Sequence, residues 1–171
     1  MKGGFLLLAL CINMFCMACN NKKAEPEVQG KVLVAYFSAT GTTARAAGRI
    51  AKESGGELFE IKPAAAYTAA DLDWTDKQSR SSIEMADTES RPELAGVCEE
   101  IAQYDTIYVG FPIWWYVAPR IINTFIEAHD LSGKVLIPFA TSGGSPIGPC
   151  VDALRETYPE LDIRQGKLMN R

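Results

Sequence analysis

Three nearly continuous apolar runs constrain the fold of this chain more than any other feature. The runs are VLVAYF at 32–37, DTIYVGF at 105–111 and VLIPFA at 135–140. A β-strand has this composition when helices cover both faces of its sheet, because neither face then meets water. Two shorter segments, ELFEIK at 57–62 and LDIR at 161–164, also have strand patterns. The sequence therefore predicts strands in all five segments, the three long runs being buried on both sides.

Segments with helical patterns separate these strands. TTARAAGRIAKES at 42–54 begins with threonines and ends before two glycines, and Pro119 and Pro149 each open another helical pattern. A further helix is predicted to begin at Pro92, with one apolar face formed by Leu94, Val97, Cys98 and Ile101. Alternating strands and helices predict an α/β fold built on a doubly wound parallel sheet.

Two features fit this pattern less well. Pro138 falls inside an apparent central strand, where it cannot donate a hydrogen bond, so we expect it where a short neighbouring strand has already ended. The connection at 63–91 has no clear period, and connections of this length are functional or disordered. Its Tyr67, Trp74 and Met85 indicate a segment that packs against the domain.

The N-terminal residues have the composition of an export signal. The apolar stretch FLLLALCINMFCMAC is shorter than the ~20 residues of a membrane-spanning helix. It ends in Met-Ala-Cys, which resembles the lipobox of bacterial lipoproteins, so we predict lipidation at Cys19 and anchoring to the cell envelope. Cys16 stands where the lipobox usually has leucine, and cleavage elsewhere or an uncleaved anchor are the alternatives. The predicted divisions are a signal peptide at 1–18, a polar tether at 19–30 and a folded domain at 31–171.

Charge and cysteine patterns argue against several classes of function. The 171 residues have a net charge of −4 and no run of lysine or arginine, which argues against nucleic-acid binding. Without a Cys-x-x-Cys pair or a His/Cys cluster in the sequence, we expect no metal site. The single histidine, His129, falls near a helix end and is not expected to relay protons. Arg80, Arg91 and Arg120 are expected to be surface charges.

A cluster of hydroxyl side chains follows the first strand. In FSATGTT these are Ser38, Thr40, Thr42 and Thr43, and Gly41 lies among them. The segment leads into a helix, whose N-terminus offers unpaired amides and partial positive charge to a phosphate. Glycine lets the backbone approach such a ligand closely. The alternative is that the hydroxyls only cap the helix, but four of them within six residues favour a phosphate site.

Two more loops follow the next two long strands. FPIWWYVAPR at 111–120 carries Trp114, Trp115 and Tyr116, whose rings could present a flat face to a planar ligand. The alternative is that these rings pack into the core or a subunit contact. ATSGGSPIG at 140–148 could supply backbone groups to the edge of a ring, or be a glycine-rich turn. In a doubly wound sheet, ligands bind beyond the carboxyl ends of the strands.

These three loops, in this order, resemble those of flavodoxin. The resemblance covers residues 31–166 and depends on the SxTGxT pattern at 38–43, PIWWYVAPRIINTFIE at 112–127 and TSGGSPIG at 141–148. DWTDKQSRSSIEM, within the 63–91 connection, also resembles a branch of bacterial flavodoxin-like proteins. The resemblance implies a five-stranded sheet of order 2-1-3-4-5 that holds one FMN non-covalently for electron transfer.

The resemblance also implies roles for individual residues. The FMN phosphate would be bound by Ser38, Thr40, Gly41, Thr42 and Thr43. The isoalloxazine would be flanked by Pro112, Ile113, Trp114, Trp115 and Tyr116, with Trp115 the first choice for stacking and Trp114 the second. The pyrimidine edge of the ring would be lined by Thr141, Ser142, Gly143, Gly144 and Ser145.

The sequence departs from the flavodoxin pattern in two places. The loop after the fourth strand has no aromatic residue to cover the second flavin face, so we expect the 63–91 connection to close over it through Tyr67 or Trp74. No final helix follows LDIR, which predicts an uncovered apolar face on the later strands. A homodimer, another partner, or truncation of the chain are the alternatives. In this topology Cys98 and Cys150 are too far apart to pair, which predicts two free, buried thiols.

The sequence is compatible with three functions. The first is an exported, lipid-anchored electron carrier that serves a redox partner protein or a quinone-type acceptor. The second is an FMN-dependent NAD(P)H:quinone-type reductase, since the fold supports both. The third is a lipoprotein that keeps the fold without the cofactor. Because the chain is acidic, it should disfavour an anionic reduced flavin and so lower the second reduction potential.

Overall fold

The structure is a computed structural model, and it describes residues 30–170. Within this range the elements in chain order are β1 (Val32–Tyr36), α1 (Thr42–Ser54), β2 (Glu57–Glu60), α2 (Arg80–Ala86), a short 3-10 helix (Ile101–Gln103), β3 (Thr106–Pro112), α3 (Arg120–Glu127), β4 (Val135–Thr141), α4 (Gly148–Thr157), β5 (Asp162–Ile163) and β6 (Lys167–Leu168). As predicted, α1 ends at Ser54, and the next residue, Gly55, has a positive φ of 69° that suits a glycine.

The strands form a parallel sheet in the order β2-β1-β3-β4-β5, with β6 paired to β4. This order confirms the predicted α/β architecture. Tyr36 at the end of β1 pairs with Gly110 of β3, and Pro112 at the end of β3 pairs with Thr141 at the end of β4. The three polar and aromatic loops therefore leave the sheet side by side at one edge.

Apolar clusters cover both faces of the sheet. On the α3 and α4 side, the buried sheet residues include Leu33, Ile107, Val109, Phe111 and Leu136. On the opposite side, α1 packs on Val32, Val34 and Phe139 through Ala46, Ala47 and Ile50. A Cβ at Gly110 would lie 2.0 Å from the Phe139 ring, so glycine is required where this ring crosses β3. Burial on both faces explains why the three long strands are apolar throughout.

Pro138 lies where the sequence predicts it. β5 pairs with β4 only at Val135 and Leu136, and β6 pairs with β4 at Phe139 and Ala140. Pro138 falls in the gap between these two short strands, where the outer side of β4 requires no donor. This prediction is confirmed.

The prediction of a helix that begins at Pro92 is wrong. The chain there is irregular until the 3-10 helix at Ile101–Gln103. Its backbone pairs with the segment after β2 instead, because the Ala64 amide donates to Glu93 O at 2.8 Å and the Ala95 amide donates to Lys62 O at 2.8 Å. These long-range hydrogen bonds thus use backbone amides and carbonyls that a helix would need for its own hydrogen bonds. Val97, from the predicted apolar face, is 49% exposed.

The predicted uncovered apolar face is also wrong for the described residues. Ile137 and Phe139 of β4 are fully buried, and Met169, just after β6, packs on the α1 side of the sheet. Large apolar side chains exposed in the described range lie outside β3 and β4; they are Leu58, Trp74, Ile83, Val97, Trp115, Tyr116 and Leu168. The homodimer prediction was based on an uncovered apolar face, and the described residues do not show one.

The two thiols agree with the prediction. Cys98 and Cys150 are both free and buried. The predicted signal peptide and the lipidation site Cys19 lie outside the described residues. Between residues 30 and 170, the structure has no helix with the length and apolar composition needed to cross a bilayer.

Candidate functional site

The loop between β1 and α1 leads into a helix that no side chain caps. Gly41 precedes the first turn with a φ of 83°, a conformation that favours glycine. No Ser or Thr side chain bonds to the first amides of α1, which contradicts the alternative that the hydroxyls only cap the helix. The first turn of α1 therefore keeps the unpaired amides and partial positive charge that suit an anion.

A buried hydroxyl lies in the same loop without a partner. Ser38 Oγ is inaccessible to solvent and makes no hydrogen bond within the described structure. An unsatisfied buried hydroxyl costs about 1–3 kcal/mol, so it requires an explanation. A phosphate oxygen at the start of α1 would supply the missing acceptor. These residues therefore fit an anionic group that is rich in acceptors.

Not every predicted hydroxyl is available to such a group. Thr43 Oγ1 is buried and lies 2.8 Å from Thr141 Oγ1, so these two side chains join the first and third loops. Thr43 can then contribute its backbone amide to the loop rather than its hydroxyl. Thr40 is exposed, and Thr42 Oγ1 accepts a hydrogen bond from Arg45 Nη2 at 3.3 Å. Arg45 therefore places a cation beside the loop.

The segment after β3 makes a tight turn that displays two aromatic rings. Within it, the Trp114 amide donates to Val117 O at 3.1 Å and the Val117 amide donates to Trp114 O at 3.0 Å. The two central residues, Trp115 and Tyr116, have positive φ values of 46° and 67°, where glycine or asparagine is usual. Each costs roughly 1 kcal/mol or more, and such strain concentrates at functional sites.

The two strained residues of this Trp114–Val117 turn are also exposed. Trp115 is 45% exposed and Tyr116 is 65% exposed. A buried thiol anchors the turn from beneath, because Cys150 Sγ donates to Tyr116 O at 3.2 Å. Burial raises the pKa of Cys150 to about 11, so the thiol keeps the proton that it donates. The turn is fixed, and its rings face outward.

Trp114 packs against two other aromatic rings. The three side chains, Phe37, Tyr67 and Trp114, are here called the aromatic triad. The ring centroids of Phe37 and Trp114 are 5.6 Å apart, those of Tyr67 and Trp114 are 5.5 Å apart, and those of Phe37 and Tyr67 are 5.7 Å apart. Phe37 directly precedes the hydroxyl loop. The triad therefore joins that loop, the Trp114–Val117 turn and the 63–91 connection.

The loop after β4 is held by its own serine and by the C-terminal segment. Ser142 Oγ accepts from the Gly144 amide at 3.0 Å and from the Ser145 amide at 2.6 Å, and the Ser142 amide donates to Asn170 Oδ1 at 2.8 Å. Gly143 and Gly144 are exposed. Three of the predicted backbone donors are thus engaged, which leaves the loop carbonyls and the Gly143 amide for a ligand edge.

The remaining predicted ring-side residues continue β3. Pro112 is its last residue, and the Ile113 amide donates to Thr141 O at 2.9 Å, so both lie directly beside the loop after β4. All the predicted cofactor-binding residues lie at one edge of the sheet, in the three loops or in the strand and helix ends beside them. Arg45 and Asn170 were missed, because nothing in their sequence surroundings indicates which distant loop they contact.

The 63–91 connection contains α2, and a bridge between Pro63 and Leu94 pairs its first residue with the segment that follows it. Trp74 is 74% exposed, whereas Tyr67 enters the aromatic triad. The Tyr67 hydroxyl donates to Glu84 of α2, and burial raises its pKa well above the usual range. Tyr67 therefore lies beside the site, packed on Phe37 and Trp114, and the closure of this connection over the second flavin face stays a prediction.

Solved structures of similar proteins share this fold. A candidate flavoprotein from Bacteroides eggerthii DSM 20697 is 57% identical, with a TM-score of 0.83 over 84% of this chain and 90% of that one. A second, from Bacteroides uniformis ATCC 8492, is 60% identical, with a TM-score of 0.81 over 82% and 90% of the two chains. A search of the curated proteins found no match.

A more distant structure has the same fold. The flavoprotein from Lactobacillus acidophilus NCFM, solved in complex with FMN, is 23% identical, with a TM-score of 0.67 over 82% of this chain and 94% of that one. The sequence profile of the flavodoxin family matches residues 31–171. Together with the parallel sheet of order β2-β1-β3-β4-β5, this match shows that the chain belongs to the flavodoxin family.

Proposed function

We propose that this chain binds FMN non-covalently at the carboxyl edge of its sheet and acts as an electron carrier. The observation that carries the proposal is Ser38 Oγ, a buried hydroxyl without a partner beside the uncapped start of α1. A phosphate in this loop would satisfy the hydroxyl and meet the positive end of the helix. The relatives support the proposal, since two are candidate flavoproteins and a third was solved with FMN.

The two ends of the ligand would be held differently. The phosphate would meet the hydroxyls of Ser38, Thr40 and Thr42, with the backbone of Gly41 and Thr43 beneath it. The opposite end is planar and apolar, and the exposed ring of Trp115 is the best placed to stack on it. The carbonyls of residues 142–145 and the Gly143 amide would line its polar edge, because Thr141 O already accepts from the Ile113 amide. When bound, FMN supplies electron transfer in one-electron or two-electron steps.

Family membership favours the carrier role over a reductase. A carrier needs a redox partner, either a protein or a quinone-type acceptor, and the exposed Tyr116 ring provides a contact surface beside the proposed site. The acidic chain would disfavour a negatively charged reduced flavin, which would lower the second reduction potential.

The test is an absorbance spectrum of the purified protein after incubation with FMN and desalting, followed by a reductive titration. We expect one FMN per chain, reduced in two separable one-electron steps. Rapid NAD(P)H oxidation coupled to quinone reduction would favour the reductase instead. A correctly folded protein that retains no FMN would contradict the proposal.

We also propose that the protein is exported and anchored to the cell envelope through lipid on Cys19. The motif that supports this is Met-Ala-Cys at the end of an apolar segment. Expression in a bacterial host with radiolabelled palmitate tests it. Label should appear in the membrane fraction for the wild type and disappear for Cys19→Ser, whereas an unlabelled wild type would contradict lipidation.

A further inference from the structure

Arg80 is the centre of a compact set of interactions outside the proposed ligand contacts. Its Nε donates to Glu84 Oε1 at 2.6 Å, and its Nη1 donates to Ala65 O at 2.6 Å. Its guanidinium carbon lies 4.1 Å from the centroid of the Tyr67 ring, a cation–π distance. One side chain therefore ties α2 to the backbone just before Tyr67 and to the Tyr67 ring itself. This differs from the surface charge expected from the sequence.

These contacts fix the position of Tyr67. Its hydroxyl donates to Glu84, which is also the partner of Arg80. Its ring contacts both other members of the aromatic triad. The phenol is thus held at its hydroxyl by Glu84, while its ring packs against Arg80 and the triad. Removing Arg80 would leave the largely buried Glu84 carboxylate without its cation and would loosen this arrangement.

Trp114 connects the fixed Tyr67 ring to the exposed Trp114–Val117 turn. Its ring packs on Tyr67, and its own amide and carbonyl make the two hydrogen bonds that close the Trp114–Val117 turn. α2 makes a second contact further along the same segment, because Arg120 Nη2 donates to Met85 O at 3.3 Å. The segment that displays Trp115 is thus braced by the 63–91 connection at two points.

We propose that Arg80 is a positioning residue for the ring end of the flavin site: it holds Tyr67 against Trp114 and so keeps the strained turn ready to receive the planar ligand. This inference rests on the proposed function. A lysine could not replace Arg80, because the stack and the paired donors both require a planar guanidinium. A strained turn persists only while its surroundings hold it in place.

The proposal predicts which flavins are affected. FMN and riboflavin share the ring and differ in the phosphate. Arg80→Gln should therefore weaken the binding of FMN and of riboflavin by the same factor, about tenfold, because the change acts only at the ring end of the site. Thr40→Ala, at the phosphate end, should weaken FMN and spare riboflavin. The two classes of variant are thus distinguished by the ratio of the two affinities.

The experiment measures Kd for FMN and riboflavin by quenching of flavin fluorescence in wild type, Arg80→Gln, Arg80→Lys and Arg164→Gln. Arg164 is a matched control, because it pairs with Asp162 at 2.7 Å on the exposed β5 edge. Near-ultraviolet circular dichroism of the flavin-free protein reports the tryptophan and tyrosine packing directly. We expect Arg80→Gln to reduce both affinities and the aromatic signal, Arg80→Lys to restore little, and Arg164→Gln to resemble wild type.

Several results would overturn the inference. Unchanged affinities and an unchanged aromatic signal in Arg80→Gln would contradict it, and so would a loss confined to FMN. If Arg80→Gln does not fold, Glu84→Gln gives a milder test and should lower both affinities by a smaller, equal factor. If the wild type binds neither flavin, the proposed function fails, while the dichroism still decides whether Arg80 orders the triad.

Discussion

At the scale of single residues, the proposed phosphate site depends on the hydroxyl side chains of the loop after β1. Four hydroxyls are equivalent in the sequence, but the structure separates them. The Ser38 Oγ atom is buried without a partner, the Thr43 hydroxyl pairs with that of Thr141, and Thr40 is exposed. The sequence indicated the cluster correctly. It could not assign roles, because the partner of Thr43 is 98 residues away along the chain.

Arg45 yields a prediction at this scale. Its guanidinium bonds to Thr42, and its Nη1 lies 3.7 Å from the position of a Cβ at Gly41, so it would add attraction for a phosphate. Arg45→Gln should weaken FMN about threefold at low salt, the effect expected of an exposed charge pair, and should leave riboflavin unchanged. Lys52→Gln, in the last turn of α1, is the matched control. Calorimetry at two salt concentrations checks this; equal losses for both flavins would contradict it.

At the scale of elements, periodicity and strand composition predicted the strands, α1 and the helices after Pro119 and Pro149. The prediction failed at Pro92, where backbone pairing with the distant segment after β2 overrides a helical pattern. It also missed the covering role of Met169 after β6. Both failures concern residues whose partners are distant in sequence. The local sequence pattern contains no information about such partners.

The Trp114–Val117 turn gives a prediction for an element under strain. Cys150→Ala leaves Tyr116 O without its donor, which should lower the free energy of unfolding by about 1 kcal/mol and weaken flavin binding. Cys150→Ser keeps a donor and should recover part of both losses. Urea denaturation and flavin titration provide the measurements. Alanine and serine variants that both match the wild type would show that the thiol does not hold the turn.

Across the whole molecule, a polar network ties α3, α4 and the end of the 63–91 connection together. The Glu127 carboxylate accepts from Tyr158 at 2.7 Å and from Arg91 Nε at 2.7 Å. The hydrogen bond from Arg91 is the main reason that the pKa of Glu127 is lowered from its usual 4.5. Burial and the neighbouring Glu127 raise the pKa of Tyr158 to about 12, so the phenol stays a donor.

This network predicts how stability depends on pH. Because the folded-state pKa of Glu127 is depressed, its contribution is present above 4.5 and is lost as pH falls through the folded value. The Tm should therefore drop as the pH falls below 4.5, and Glu127→Gln should show a smaller drop. Thermal melts across this range check the sign. A variant that loses as much stability on acidification as the wild type would contradict the assignment.

The central claim is that the loop after β1 and the start of α1 bind a phosphate, and comparing two ligands tests it most directly. Isothermal calorimetry would measure FMN and riboflavin binding to wild type and Ser38→Ala. The account predicts one FMN per chain, at least tenfold tighter than riboflavin. It also predicts that Ser38→Ala removes much of this preference while the protein stays folded. Equal affinities for the two flavins, or no FMN uptake by the folded chain, would contradict the account.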